Sequence, residues 1–230
     1  MKIRKIFILV VLISSAIGNI HSQDRKFSFF ASYNYGIGNL TSPVSSTLGY
    51  PEKDEINKLR SGTHNQLEAG VYLHAFGLGL IHNSYGTDAT TAYQNADVNR
   101  DAIFENGILK DRLTLNFNGI ELLYKIPVFK SGLNVTWKLG LGIQAYTIDK
   151  DYNLLGTHPS HSSKTLTGSI VNNLAGVELN YQLLKFVSIG VETSYIPGSY
   201  SKLKDAESPT YIYTDNVTRL STGMKIKITI

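Results

Sequence analysis

The stretch LNVTWKLGLGIQAYTI, residues Leu133–Ile148, decides the architecture. Leu133, Val135, Trp137, Leu139, Leu141, Ile143 and Ala145 fall on odd positions. Asn134, Thr136, Lys138, Gly140, Gly142 and Gln144 fall on even ones. Alternation with period two is the mark of a strand with one oily and one polar face. The run exceeds the usual soluble strand of about 5–6 residues. It suits a tilted strand crossing a bilayer, which needs roughly 9–11. The oily face is expected to meet lipid, and the small polar face a narrow interior.

Seven further runs share this character: 26–37, 64–76, 77–86, 112–126, 168–182, 186–197 and 216–230. The facing of 77–86 reads in two phases, since Leu78 and Leu80 give one and Ile81 and Tyr85 the other. In 112–126 the apolar phase slips after Phe117, which predicts a bulge at Asn118-Gly119. Polar segments 38–63, 87–111, 149–167 and 198–215 read as long loops, and short turns join the remaining strands. Alternating long and short connections are those of an outer-membrane barrel. The expected fold is all-β: an eight-stranded antiparallel up-and-down transmembrane β-barrel with both termini on the periplasmic side.

The chain begins MKIRKIFILVVLISSAIGNIHSQ. Lys2, Arg4 and Lys5 precede an apolar core, Ile6–Ile17, and small residues follow. This reads as an export signal over 1–22, leaving 23–230 as the barrel domain. The formal charge of +4 includes three basic residues and no acids within the signal, so the remainder carries +1. That gives no basic surface for nucleic acid. With no cysteine, disulfides and a lipidated cysteine are both excluded. No later run is long and apolar enough for a membrane helix, so a spanning chain must be a closed barrel.

The C-terminal Ser221-Thr222-Gly223-Met224-Lys225-Ile226-Lys227-Ile228 resembles the β-signal read by the barrel-assembly machinery, with Ile230 where a terminal aromatic is usual. With the strand rhythm, the chain resembles the small outer-membrane barrels of the OmpX/OmpA-barrel type, the "outer membrane protein beta-barrel domain" proteins. The resemblance covers the chain after the signal. It implies location in the cell outer membrane and contact with outer-membrane lipid and lipopolysaccharide. It also implies engagement by the assembly machinery during biogenesis, and membership of an envelope complex as an alternative role.

Candidate chemistry is sparse. His82-Asn83-Ser84 resembles the His-x-Ser of the lipid A deacylase barrel, where histidine activates serine for attack on an acyl ester. The ordinary reading is a polar pair near the outer interface, so no catalytic set is assigned beyond His82 and Ser84 as candidates. His158 and His161 lack a third ligand at metal spacing, and no metal or cofactor is expected. Glu68, Glu121, Glu178 and Glu192 read as structural charges. Counted from the short-turn ends, Glu121, Lys138, Glu178, Glu192, Lys225 and Lys227 fall at similar depths on the polar faces. They predict an interior belt of ion pairs, with Lys138 between Glu121 and Glu178, and Glu192 facing Lys225 or Lys227. The expected function is a non-enzymatic barrel whose four loops serve envelope integrity, adhesion or surface interaction. The alternatives are an accessory subunit of a secretion or assembly complex, and a lipid A-modifying hydrolase.

Overall fold

The computed structural model describes residues 27–41, 50–96, 104–128, 132–155, 160–205 and 212–230. The signal segment and His158 lie outside them. Ten strands and one helix follow in order: β1 (Phe27–Leu40), α1 (Tyr50–Lys58), β2 (Ser61–Leu73), β3 (Phe76–Ala96), β4 (Glu105–Val128), β5 (Leu133–Leu155), β6 (Ser160–Leu184), β7 (Val187–Ile196), β8 (Ser199–Asp205), β9 (Ile212–Asn216) and β10 (Arg219–Thr229). β8 and β9 form an antiparallel pair above β7 and β10, after an interruption at Pro197-Gly198 and Val217-Thr218. The wall therefore has eight staves.

Every ladder is antiparallel. β1 pairs with both β2 and β10, and β5 pairs with both β4 and β6, so the sheet closes. Register can be followed once round the wall. Ile143 is opposite Asn118, then His82, Leu67, Tyr33, Ile226, Ile189, Tyr181 and finally Leu133. The path leaves β5 at Ile143 and returns at Leu133, a shear of ten residues. With strand rise near 3.3 Å and spacing near 4.8 Å, eight staves at that shear tilt by roughly 40°. A barrel of this size has room for side chains and little else.

The polarity is inside-out. Leu67, Leu78, Leu80, Ile120, Leu122, Leu139, Leu141, Ile143, Val171, Met224 and Ile226 are exposed on the outer wall. Phe27, Phe29, Phe76, Tyr124, Trp137, Tyr181 and Phe186 gather near the short-turn rim, as an interfacial aromatic girdle requires. An apolar outer wall and a closed ladder together make the chain a transmembrane barrel.

β3 resolves the two-phase reading, with Ile81, Asn83 and Tyr85 inward and Leu78, Leu80 and His82 outward. The bulge expected at Asn118-Gly119 is absent, since β4 stays in register with both neighbours across it. The slip in apolar phase has another cause. Leu113, Leu115 and Phe117 face an apolar storey inside the barrel, whereas Ile120, Leu122, Tyr124 and Ile126 face outward lower down.

The long loops are also different from expectation. β3, β4, β5 and β6 run for 21, 24, 23 and 25 residues, about twice what a bilayer needs. Much of 87–111 and 149–167 is therefore ladder, as is much of 198–215. The four tallest strands stand side by side as a wall above the membrane band. Its inner face is lined by Tyr93 and Leu109, with Tyr152 and Leu154 packed beside them. α1 lies in the segment expected to be loop. Lys58 at its end donates to the Thr90 carbonyl at 3.0 Å and Thr91 Oγ1 at 3.2 Å, covering part of the β3 edge. Such cover matters because an open strand edge invites pairing with other chains.

We predict that Leu139→Arg destabilises the barrel by about 2–4 kcal/mol, the cost of arginine on a lipid face near the midplane. Lys110→Glu, on an exposed face of the tall wall, should be neutral. The folded, faster-migrating gel band of unboiled samples measures both. Equal loss or equal retention would mean that the faces are reversed.

Candidate functional site: the charged lumen

The polar faces of the strands meet inside the barrel. Depth follows from register: after correction for the shear, Glu68, Glu121, Lys138, Glu178, Glu192 and Lys225 lie within about 5 Å of one height, and Lys227 lies just below. All seven are buried.

Their contacts cross the lumen. Lys138 Nζ is 2.7 Å from Glu192 Oε1 and 3.4 Å from Glu121 Oε2, and it also bonds Glu68. Lys225 Nζ is 2.5 Å from Glu68 Oε2 and 2.7 Å from Glu192 Oε2, and it also bonds Glu178. Lys227 bonds Glu178. Neutral groups complete the network. Ser32 Oγ donates to Glu68 at 2.8 Å, Gln66 Nε2 donates to Glu192 at 2.6 Å, and Asn83 Nδ2 donates to Gln66 at 2.6 Å. Charges buried in this way persist only when paired and hydrogen-bonded.

All six residues expected in the belt are brought together, with part of the expected pairing. Lys138 contacts Glu121, one of its two expected neighbours, but takes Glu68 and Glu192 in place of Glu178. Glu192 contacts Lys225, one of its two expected partners, and Lys138 besides. Neighbour order along the wall is an incomplete guide, because a narrow barrel lets long side chains reach across. Glu68 joins the belt as well, and its inward even phase with Gln66 and His64 marks it in the sequence. Glu68, Glu178 and Glu192 could together hold a metal ion by proximity of their oxygens. Lys138 and Lys225 already sit on those carboxylates, so the set does not fit a cation.

The lumen is filled above and below the belt. Phe30, Tyr72 and Leu123 form the floor, with Lys227 5.4 Å from the Phe30 ring centre and 5.7 Å from that of Tyr72. Ile81, Phe117, Leu174 and Ile196 pack at one side above the belt. Higher still, Tyr85, Leu113, Leu115, Tyr146, Tyr200 and Leu203 form an apolar storey that Leu59 enters from the turn after α1. The Tyr85 hydroxyl donates to the Leu59 carbonyl at 2.9 Å, fixing that turn in the mouth.

His82 and Ser84 share the outer face of β3. His82 Nδ1 lies 2.7 Å from Asn118 Oδ1, so that nitrogen donates to the amide oxygen. Ser84 makes no hydrogen bond to His82. A shallow groove of about 810 Å³ runs along the outer wall beside them, lined by Leu67, Leu80, His82, Asn118, Ile120, Leu141 and Ile143. His161 lies on the outer face of β6, with Nε2 2.5 Å from Asp151, and no third ligand joins them among the described residues.

No protein-family profile and no curated protein matches this sequence. Solved structures do match in shape. A major outer membrane protein from Thermus thermophilus superposes with a TM-score of 0.52 at 10% identity, over 90% of this chain and 100% of that one. The fold is that of the small outer-membrane β-barrels. OprG from Pseudomonas aeruginosa gives 0.48 at 10% identity, over 88% and 95% of the two chains. Ail, the attachment invasion locus protein of Yersinia pestis, solved with the heparin analogue sucrose octasulfate, gives 0.44 at 10% identity over 90% and 100%. At these identities the likeness is one of fold. The apolar outer wall of this barrel, on a fold of that kind, belongs in the outer membrane.

We predict that Lys225→Met destabilises the barrel by about 3–5 kcal/mol, because three buried carboxylates lose their shared cation. Urea titration of the refolded protein in lipid vesicles would measure it. Lys150→Met, which disrupts the pair with Asp111 high on the wall, should cost far less. Equal effects would show that the belt has no special weight.

Proposed function

We propose that the chain is a non-enzymatic outer-membrane barrel whose transmembrane part is a sealed pedestal and whose tall β3–β6 wall makes the surface contacts. One observation carries this reading. The lumen is packed from the Phe30–Tyr72 floor through the belt to the tyrosine storey, while ladder continues far above the band. A plugged barrel of this width does not serve as a pore. A rigid wall of paired strands holds exposed side chains in fixed positions, as an adhesion or interaction surface requires. The belt, on this reading, keeps the pedestal closed and rigid.

The test shortens the wall without touching the pedestal. Thr91 and Leu109 are ladder partners, so a two-residue Asn-Gly turn can replace residues 92–108. The shortened protein should keep its heat-modifiable gel shift and show no large steady conductance in a planar bilayer. Cells carrying it should lose adhesion to surfaces while keeping wild-type resistance to detergent. Unchanged adhesion combined with new detergent sensitivity would point to envelope integrity instead. A stoichiometric companion in mild-detergent purification would favour the accessory-subunit reading.

A second reading has one observation in its favour. His82 is oriented by Asn118, Ser84 sits two residues on along the same face, and the wall groove lies beside them. A histidine held through Nδ1 leaves Nε2 to serve as a base toward a serine on the same face, here beside lipid acyl chains. Mass spectrometry of lipid A from cells expressing the wild type, His82→Ala and Ser84→Ala decides it. We predict identical acylation in all three. Loss of an acyl chain with the wild type alone would establish the hydrolase.

A further inference from the structure

Just above the belt, the lumen holds buried polar groups that the belt does not use. Arg219 is fully buried. Its Nη2 donates to Asn83 Oδ1, and its guanidinium carbon lies 5.3 Å from the Tyr85 ring centre. Its Nε and Nη1 have no hydrogen-bond partner. Neither end of the Asn34 amide nor Ser221 Oγ has one, and the His64 ring reaches the Ser84 backbone. Asn34, Ser221 and His64 are at most 1% exposed.

Their meeting has a cause in the sequence. β1 lies between β10 and β2, and its inward positions at this height are Gly36 and Gly38. Ser221 is opposite Gly38, and His64 is opposite Gly36. With no side chain on β1, groups from both flanking strands lean over it. A Cβ on Gly38 would lie 3.0 Å from Ser221 Oγ and 2.7 Å from the Tyr85 ring, and one on Gly223 would strike Asn34 Oδ1. His64 is within electrostatic reach of Arg219, Glu192 and Lys138. Arg219, Ser221, His64 and Asn34 are thus gathered over the glycines of β1, with the Tyr85 ring packed against Gly38.

Charge and hydrogen-bonding capacity both point to one kind of occupant. The inward groups of the spanning staves include four carboxylates, Glu68, Glu121, Glu178 and Glu192. They face Lys138, Lys225 and Lys227 in the belt, with Lys125 near the short-turn end and Arg219 above the belt. Each belt lysine contacts a carboxylate, whereas Arg219 contacts none. A guanidinium has five donors and no acceptor, and a hydroxyl and an amide can each add a donor. Water could accept those bonds but could not neutralise the charge, and an unpaired buried charge is costly.

We propose that a recess among these groups binds a monovalent inorganic anion of halide size, held by Arg219 and Ser221, with His64 and Asn34 completing its surroundings. The one charge of Arg219, which contacts no carboxylate, selects a monovalent ion. The Tyr85 ring and the apolar storey above it exclude anything that must stay in contact with bulk water.

The test uses the whole barrel refolded in sodium bromide and crystallised. An anomalous bromide peak within hydrogen-bond distance of Arg219 and Ser221 is expected. The midpoint temperature of the gel-shift transition should also be higher after refolding in sodium chloride than in sodium gluconate at equal ionic strength. Ser221→Ala, a small change that leaves the fold intact, should reduce that difference, and Arg219→Met should abolish it if the variant folds. Density at the recess without an anomalous peak would identify water and overturn the proposal. Equal wild-type midpoints in the two salts would overturn it as well.

Discussion

A strand in hydrocarbon cannot leave its backbone groups unpaired, and the rest of this structure follows from that constraint. The β1–β10 ladder removes the last two edges, joining the ends of the described chain over eleven paired positions, from Phe30↔Thr229 to Leu40↔Arg219. Closure with eight staves and a shear of ten then sets the width of the lumen. That width leaves room for side chains alone, so the inward face of each strand becomes part of a core.

That core is stacked by height. Aromatic groups close the floor, the ion pairs occupy the level above, and the tyrosine storey fills the mouth. The stacking reconciles polar strand faces with a plugged barrel. It also separates the two ends of the molecule by task, because the wall above the mouth can vary without disturbing the packing below.

The membrane part was legible in the sequence because each side there has a uniform polarity. Leu133–Ile148 shows it plainly, with every odd residue outward and every even one inward. Legibility failed where the inside itself turns apolar. On β4, Leu113, Leu115 and Phe117 point in and Ile120 and Leu122 point out, so a period-two reading sees a slip where the ladder is continuous. Above the band, the inner face mixes Tyr93 and Leu109 with Thr91 and Asp111 and the outer face is polar, so the ladders of β3–β6 look like loop. Depth along the strands locates the charged residues but fixes only some of their partners, since Glu68 reaches Lys138 and Lys225 from across the lumen. The Arg219 recess left no local signal, because it needs β10, β1 and β2 side by side.

The distribution of charge along the chain has a consequence for how the barrel is made. Arg219, Lys225 and Lys227, three of the five inward cations of the membrane-spanning staves, sit on the last strand, which carries no inward acid. Before β10 docks, Glu68, Glu121, Glu178 and Glu192 face only Lys125 and Lys138, so the nascent cavity is electronegative. An unclosed sheet therefore attracts the strand that completes it, and hydrogen-bond closure and charge neutralisation become one event. A chain cut short before Arg219 would lack the seam strand and, with it, three of the cations that neutralise the lumen.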